Sequence, residues 1–148
     1  MKRPAPAVLV LSLFLIDRAL KSLVFRRWAV GESHPVLPGF LHFTRVNNDG
    51  AAFGLLKGST PILAAVSAAC AFVLARLLIV RPETPPLKAT AFSLVLAGAL
   101  GNLYDRVRYG YVLDFIDLRV WPVFNVADAC ITAGAALLVV SAMAGGRR

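Results

Sequence analysis

The residues of this chain best suited to chemistry are two carboxylates, Asp114 and Asp128. Asp114 lies between Val112-Leu113 and Phe115-Ile116, and apolar surroundings disfavour a carboxylate anion and raise its pKa. Asp128 follows Asn125; with Asn125 as an N-cap, Asp128 is the third helical residue, where the helix dipole favours an anion. Capping alone accounts for Asp128. Taken together, one environment that favours the neutral form and one that favours the charged form make an aspartic dyad sharing a proton. One member would activate water while the other polarises a scissile carbonyl. A coupled pair titrates as a unit, so acid and base are not assigned separately.

Other polar residues stand where they are costly or where turns place them. Asp17 and Lys21 fall inside an apolar run, and an ionisable residue in such a run is a functional candidate by default. Their i,i+4 spacing, acid first, suits an ion pair on one helix face, so they are read as structural support. Asn47-Asn48-Asp49-Gly50 has turn chemistry, with Gly50 suited to positive φ or to close approach of a substrate, and the small residues Ala51-Ala52 follow. A surface turn and a binding role for Asn48 both remain open. Asn102 and Arg106, again i,i+4, share a helix face. Arg106 could grip backbone carbonyls, or Asp105 and Arg106 could form an interfacial anchor. Asp49 and Asp117 are read as surface groups.

The elements that must position these groups follow from hydropathy. The chain has 148 residues, 58% of them hydrophobic, and a mean hydropathy of +0.71, well above the ~45–50% apolar content of an average soluble domain. A bilayer core takes ~20 helical residues. Runs of about that length cover residues 7–25, 61–80, 87–104 and 125–144. The first closes at Arg26-Arg27-Trp28, and the second opens at Ser59-Thr60-Pro61, a capping residue ahead of a proline. Residues 1–148 are therefore expected to form one all-α integral membrane domain of four transmembrane helices, with a β-like extramembrane segment over 36–46. The charged start is read as a retained anchor, because Asp17-Arg18 stands where a cleavage site would be needed.

Four spans put both termini on one side and residues 26–60 and 105–124 on the other. Asn48, Asp105, Arg106, Asp114 and Asp128 then meet at one membrane face. Lys2, Arg3, Arg81, Lys88, Arg147 and Arg148 on the terminal side nearly balance Arg26, Arg27, Arg45, Lys57, Arg106, Arg108 and Arg119 opposite. The denser terminal group favours cytoplasmic termini.

The formal charge of +8 is scattered between apolar runs, which suits lipid headgroups better than nucleic acid. Cys70 and Cys130 sit apart in apolar runs as packing residues, and His34 and His42 match no metal-ligand spacing, so neither a metal nor a nucleic-acid partner is expected. No serine, cysteine or histidine constellation competes with the aspartates.

Five ordered blocks resemble the bacterial lipoprotein signal peptidases (signal peptidase II) over nearly the whole chain. They are Asp17 with Lys21; Asn48-Asp49-Gly50-Ala51-Ala52-Phe53; Gly101-Asn102-Leu103-Tyr104-Asp105-Arg106; Gly110-Tyr111-Val112-Leu113-Asp114-Phe115-Ile116; and Phe124-Asn125-Val126-Ala127-Asp128. The resemblance implies an inner-membrane aspartic endopeptidase, without cofactor or metal, that cuts prolipoproteins before a diacylglyceryl-modified cysteine. Asp114 and Asp128 fall on the family's catalytic aspartates, and Asn48, Asn102, Arg106 and Asn125 on polar positions lining its substrate site. Asp17, Lys21, Gly50 and Asp105 are expected as support, the β-like segment and active site on the periplasmic side, both termini in the cytoplasm, and the protein a monomer in contact with membrane lipid.

Departures from the family pattern are Arg18, where glutamine is frequent, Ala97, where glycine is frequent, and a short stretch between Asp114 and Asp128. A four-span transporter is the rival reading. Transport sites usually lie near the bilayer midplane, whereas of these acids only Asp17 is placed that deep.

Overall fold

Long apolar runs become helices because lipid leaves backbone polar groups no partner but one another. The structure, a computed structural model, describes residues 5–50 and 58–145. In chain order the elements are α1 (Ala5–Arg27), β1 (Ser33–Leu37), β2 (Leu41–Asn48), α2 (Thr60–Val80), α3 (Pro86–Tyr109), β3 (Val112–Asp117) and α4 (Val126–Gly145). Lys2, Arg3, residues 51–57, Arg147 and Arg148 lie outside the described residues, and with them the Ala51-Ala52-Phe53 stretch.

Three helices, α2, α3 and α4, are long and apolar enough to cross a membrane. α1 has the length, but every 18-residue stretch of its 23 residues contains Asp17, Arg18 and Lys21. The helices are apolar outside and polar within. Phe72, Ile79 and Met143 are 67–69% exposed, while Asp17, Lys21, Asn102, Asp105 and Asn125 are buried. That inversion is what a lipid solvent selects, since apolar side chains lose nothing by facing it and charges must find one another.

α3 is central and packs on α4, α2 and α1. Its glycines permit the approach: a Cβ on Gly98 would overlap the Ala127 carbonyl, and one on Gly101 would lie 2.9 Å from Asp17 Oδ2. Small residues at such crossings let helix backbones come close in lipid. α3 also runs past the expected end at Tyr104, to Tyr109, and stops where Gly110 adopts φ 78° and its N–H bonds the Arg106 carbonyl at 3.1 Å. Hydropathy marks where a helix leaves the apolar layer, whereas the backbone ends at the residue able to turn left-handed. Ser59 precedes α2 without the expected side-chain capping bond.

Outside the helices lies a three-stranded antiparallel sheet in the order β1-β2-β3: β1 and β2 cover the segment expected to be β-like over 36–46, and β3 adds a third strand from later in the chain. Gly39, at φ 79°, turns the chain between β1 and β2. β3 escaped the reading because Leu113, Asp114, Phe115 and Asp117 are all buried, so the strand lacks the alternation that betrays a half-exposed one. Pairing places Val46 opposite Asp114 and Asn48 opposite Val112. Leu113 and Phe115 pack with Val24 of α1, against Trp28, Phe43 and Val126. That cluster seats the sheet on the helices.

Candidate functional site

The site forms where the end of α3, strands β2 and β3 and the first turn of α4 meet. Asn125 is its hub. Its Oδ1 accepts the Asp128 N–H at 2.9 Å, and Asp128 Oδ2 accepts the Asn125 N–H at 3.2 Å, a reciprocal capping box. Because Oδ1 is committed to the cap, Nδ2 must point away from it. It donates to Asp114 Oδ1 at 2.6 Å and to Asn102 Oδ1 at 3.2 Å. One fully buried asparagine thus touches both aspartates.

Two further amides are oriented by the same logic. Asn102 Oδ1 also accepts from Lys21 Nζ at 3.3 Å, leaving Nδ2 to donate to Asp128 Oδ1 at 2.7 Å. Asn48 Oδ1 accepts the Gly50 N–H at 3.0 Å, leaving Nδ2 to donate to Asp114 Oδ2 at 2.9 Å. Each aspartate therefore has both oxygens engaged by donors. Burial and the facing Asp128 charge push the Asp114 carboxyl up to about 7, against the lowering effect of the Asn48 and Asn125 amides and of Lys21. Asp128 is half-buried, so the helix terminus does not act alone there and the two environments differ less than the sequence suggests.

The supporting residues lie just beneath. Lys21 Nζ is 3.0 Å from Asp17 Oδ2 and 2.8 Å from Asp105 Oδ2, so the pair expected at i,i+4 is present and includes a third member. Asp105 has no exposed surface, which overturns the interfacial-anchor reading for it. Arg106 extends Nη2 to 3.5 Å from the Gly50 carbonyl, a long contact in the direction expected, and faces the charges of Asp128, Asp114 and Asp105.

A further expectation needs correction. Asp117 is not a surface group: it is 6% exposed. Burial works to raise its carboxyl, but the Arg119 N–H, the Thr44 hydroxyl and the Arg119 guanidinium outweigh that and hold it below the usual carboxylate range. Gly58, in the turn before α2, is left-handed at φ 77°. Asp49 is exposed, as read, and Gly50 is buried.

Arg18, to which the sequence assigns no supporting role, joins the supporting cluster, with Nη1 2.6 Å from Asp105 Oδ1. Its i,i+3 neighbour Lys21 was the available signal. His34 bonds Glu32 and stacks on Trp28, and among the described residues no group of three or more His, Cys, Asp or Glu could hold a metal ion.

A buried carboxylate and a half-buried one, bridged by one amide, with the buried one able to hold a proton near neutral pH, suit general acid–base work on water and a carbonyl. The sequence model of the signal peptidase (SPase) II family, Peptidase_A8, matches residues 9–144. A lipoprotein signal peptidase of Moorella thermoacetica is 43% identical over 131 residues, covering 88% of this chain and 87% of that one. One from Desulfitobacterium hafniense is 47% identical over 128 residues, covering 84% and 83%. A solved structure described as a bacterial membrane enzyme superposes with a TM-score of 0.91 at 30% identity, covering 97% of this chain and 90% of that one.

Proposed function

The chain belongs to the signal peptidase II family and is a membrane protease that removes signal peptides from prolipoproteins, and from that premise we propose that Asp114 and Asp128 are its catalytic pair. The observation that carries this is Asn125, whose side chain bonds Asp114 while capping the turn that holds Asp128. With one proton between them, the ionised carboxylate takes a proton from water, which attacks the scissile carbonyl. The protonated partner donates to the carbonyl oxygen, and the amine leaves with a proton returned by the pair. Asn48, Asn102 and Asn125 hold the carboxylates in place, and Arg106, beside the Gly50 carbonyl, borders the place where a substrate backbone would lie.

The substrate is a prolipoprotein whose cysteine carries diacylglycerol, cut just before that cysteine, and the enzyme works as a monomer surrounded by lipid, with no nucleic-acid partner. Detergent-purified protein incubated with a diacylglyceryl prolipoprotein should release the signal peptide. Absence of cleavage would sink this reading.

α1 completes four spans in one membrane domain of the bacterial inner membrane, its internal charges met by Asp105 and Asn102 rather than by lipid. The active site then faces the periplasm and both ends of the chain the cytoplasm. Reporter fusions at Arg148 and at Glu83 should both read cytoplasmic; a periplasmic signal at either would overturn the topology.

A pH effect follows from Asn48. Its amide stabilises the Asp114 anion, so Asn48→Ala should let Asp114 keep its proton to higher pH. The alkaline limb of the kcat/KM profile, which reports the free enzyme, should move upward. A limb that stays or moves down would remove Asn48 from control of the pair.

A further inference from the structure

Beneath the catalytic pair, Asp17 and Asp105 are 1% and 0% exposed, and each holds the backbone beside one member of it. Asp17 Oδ1 accepts the N–H of Ala127, the residue before Asp128, at 3.1 Å. Asp105 Oδ2 accepts the N–H of Leu113, the residue before Asp114, at 3.3 Å. These two bonds tie α1 to the start of α4 and α3 to β3. Lys21 lies between the two carboxylates but supplies one positive charge for two negative ones.

Arg18 supplies the second. Its Nη2 donates to Asp17 Oδ2 at 3.0 Å, its Nη1 lies 2.6 Å from Asp105 Oδ1, and its guanidinium sits over the Tyr104 ring at 4.6 Å. A planar fork can span two carboxylates in this way, whereas an ammonium cannot hold the same geometry. Without Arg18 one buried carboxylate would be uncompensated. It would draw Lys21 away from Asn102, whose Oδ1 that lysine holds, and so loosen a contact next to the pair.

Around the pair, α1 contributes Asp17, Arg18 and Lys21, and α3 contributes Asp105 and Arg106. Asp117 of β3 is engaged by Thr44 and Arg119, and Asp49 after β2 is exposed. With one proton on Asp114 and Asp128, three cations therefore face three negative charges.

We propose that Arg18 is a positioning residue of the reaction, completing with Lys21 a charge-neutral brace that holds the backbone on which both catalytic aspartates are mounted. The proposal rests on the assignment of Asp114 and Asp128 as that pair. Arg18→Gln removes the charge and the fork, and Arg18→Lys keeps only the charge. In Arg18→Gln, kcat for a diacylglyceryl prolipoprotein should fall about tenfold while KM stays within about twofold, since the transition state rather than binding is affected. The alkaline limb of its pH profile should rise by on the order of half a pH unit, because net negative charge has been added nearby. Arg18→Lys should return the limb to its wild-type position and recover only part of kcat.

Wild-type kcat and limb in Arg18→Gln would overturn the proposal. So would a lowered kcat with an unmoved limb, which marks packing alone. Should Arg18→Gln fail to accumulate, Arg18→Lys decides: reduced kcat with an unmoved limb is expected, and full kcat overturns it. Asp114→Asn and Asp128→Asn, assayed alongside, separate the two claims. If both are inactive while Arg18→Gln is normal, only the brace fails; if either is active, the catalytic assignment fails first.

Discussion

Asp114→Asn and Asp128→Asn should each lower prolipoprotein processing by roughly 1,000-fold or more, and the double substitution should be hardly worse, because groups that act as a unit lose nearly everything with the first of them. Each substitution turns one accepted hydrogen bond into a meeting of two donors, since both oxygens of each aspartate face N–H groups. That costs about 1–3 kcal/mol, which leaves room for the protein to fold and insert. A pH measurement separates folding from catalysis. Asp114 binds its proton more tightly in the folded state, with its carboxyl pushed from 3.8 up to about 7. Its contribution to stability is therefore full below the ordinary carboxylate range and lost as pH rises through about 7. Asparagine has no proton to lose, so Asp114→Asn protein should lose less thermal stability than wild type between pH 5 and 8. Asp49→Asn, at an exposed position, should process normally. Full processing by either purified single mutant, free of wild-type enzyme, would end the aspartic reading.

Gly98→Val should be the most damaging change outside the charged residues. A Cβ there meets the Ala127 carbonyl and lies 2.7 Å from Ile131 Cγ1, so α3 and α4 must separate or shift. Ala127 is the residue whose N–H Asp17 holds and which precedes Asp128, so displacement reaches the site directly. Processing should fall at least about tenfold and the thermal midpoint in detergent should drop, as overpacking a close helix contact costs about 1–3 kcal/mol or more. Gly58→Ala is the comparison: among the described residues nothing lies within 4 Å of a Cβ added there, and left-handed strain of about 1–2 kcal/mol is added. A Gly98→Val protein with wild-type midpoint and rate would show that this crossing is not tight.

Helix positions were legible because lipid imposes a length and a hydropathy on them: α2 differs from its expected span by one residue at its start, and α4 by one residue at each end. The Asp17–Lys21 pair and the Asn125 cap were equally legible, since both rest on spacing along a helix. β3 was not, because a strand buried on both faces has no alternation to read. The last turn of α3 was missed because Gly110, not the end of the apolar run, stops it.

By itself the sequence determined that the chain is apolar enough to live in a membrane and where its helices run, and it singled out Asp114 and Asp128 by their flanking residues. All of these depend on near neighbours along the chain. Only the tertiary structure decided that Asn125 joins Asp114 to Asp128, that Asp105 is a buried partner rather than an anchor, and that Arg18 and Lys21 together neutralise two carboxylates. Those contacts and the Asp17–Ala127 bond link residues up to 110 positions apart. Their partners are chosen by which helix faces and strand edges meet in space, and a carboxylate does not carry in its flanking residues the identity of the cation that will meet it.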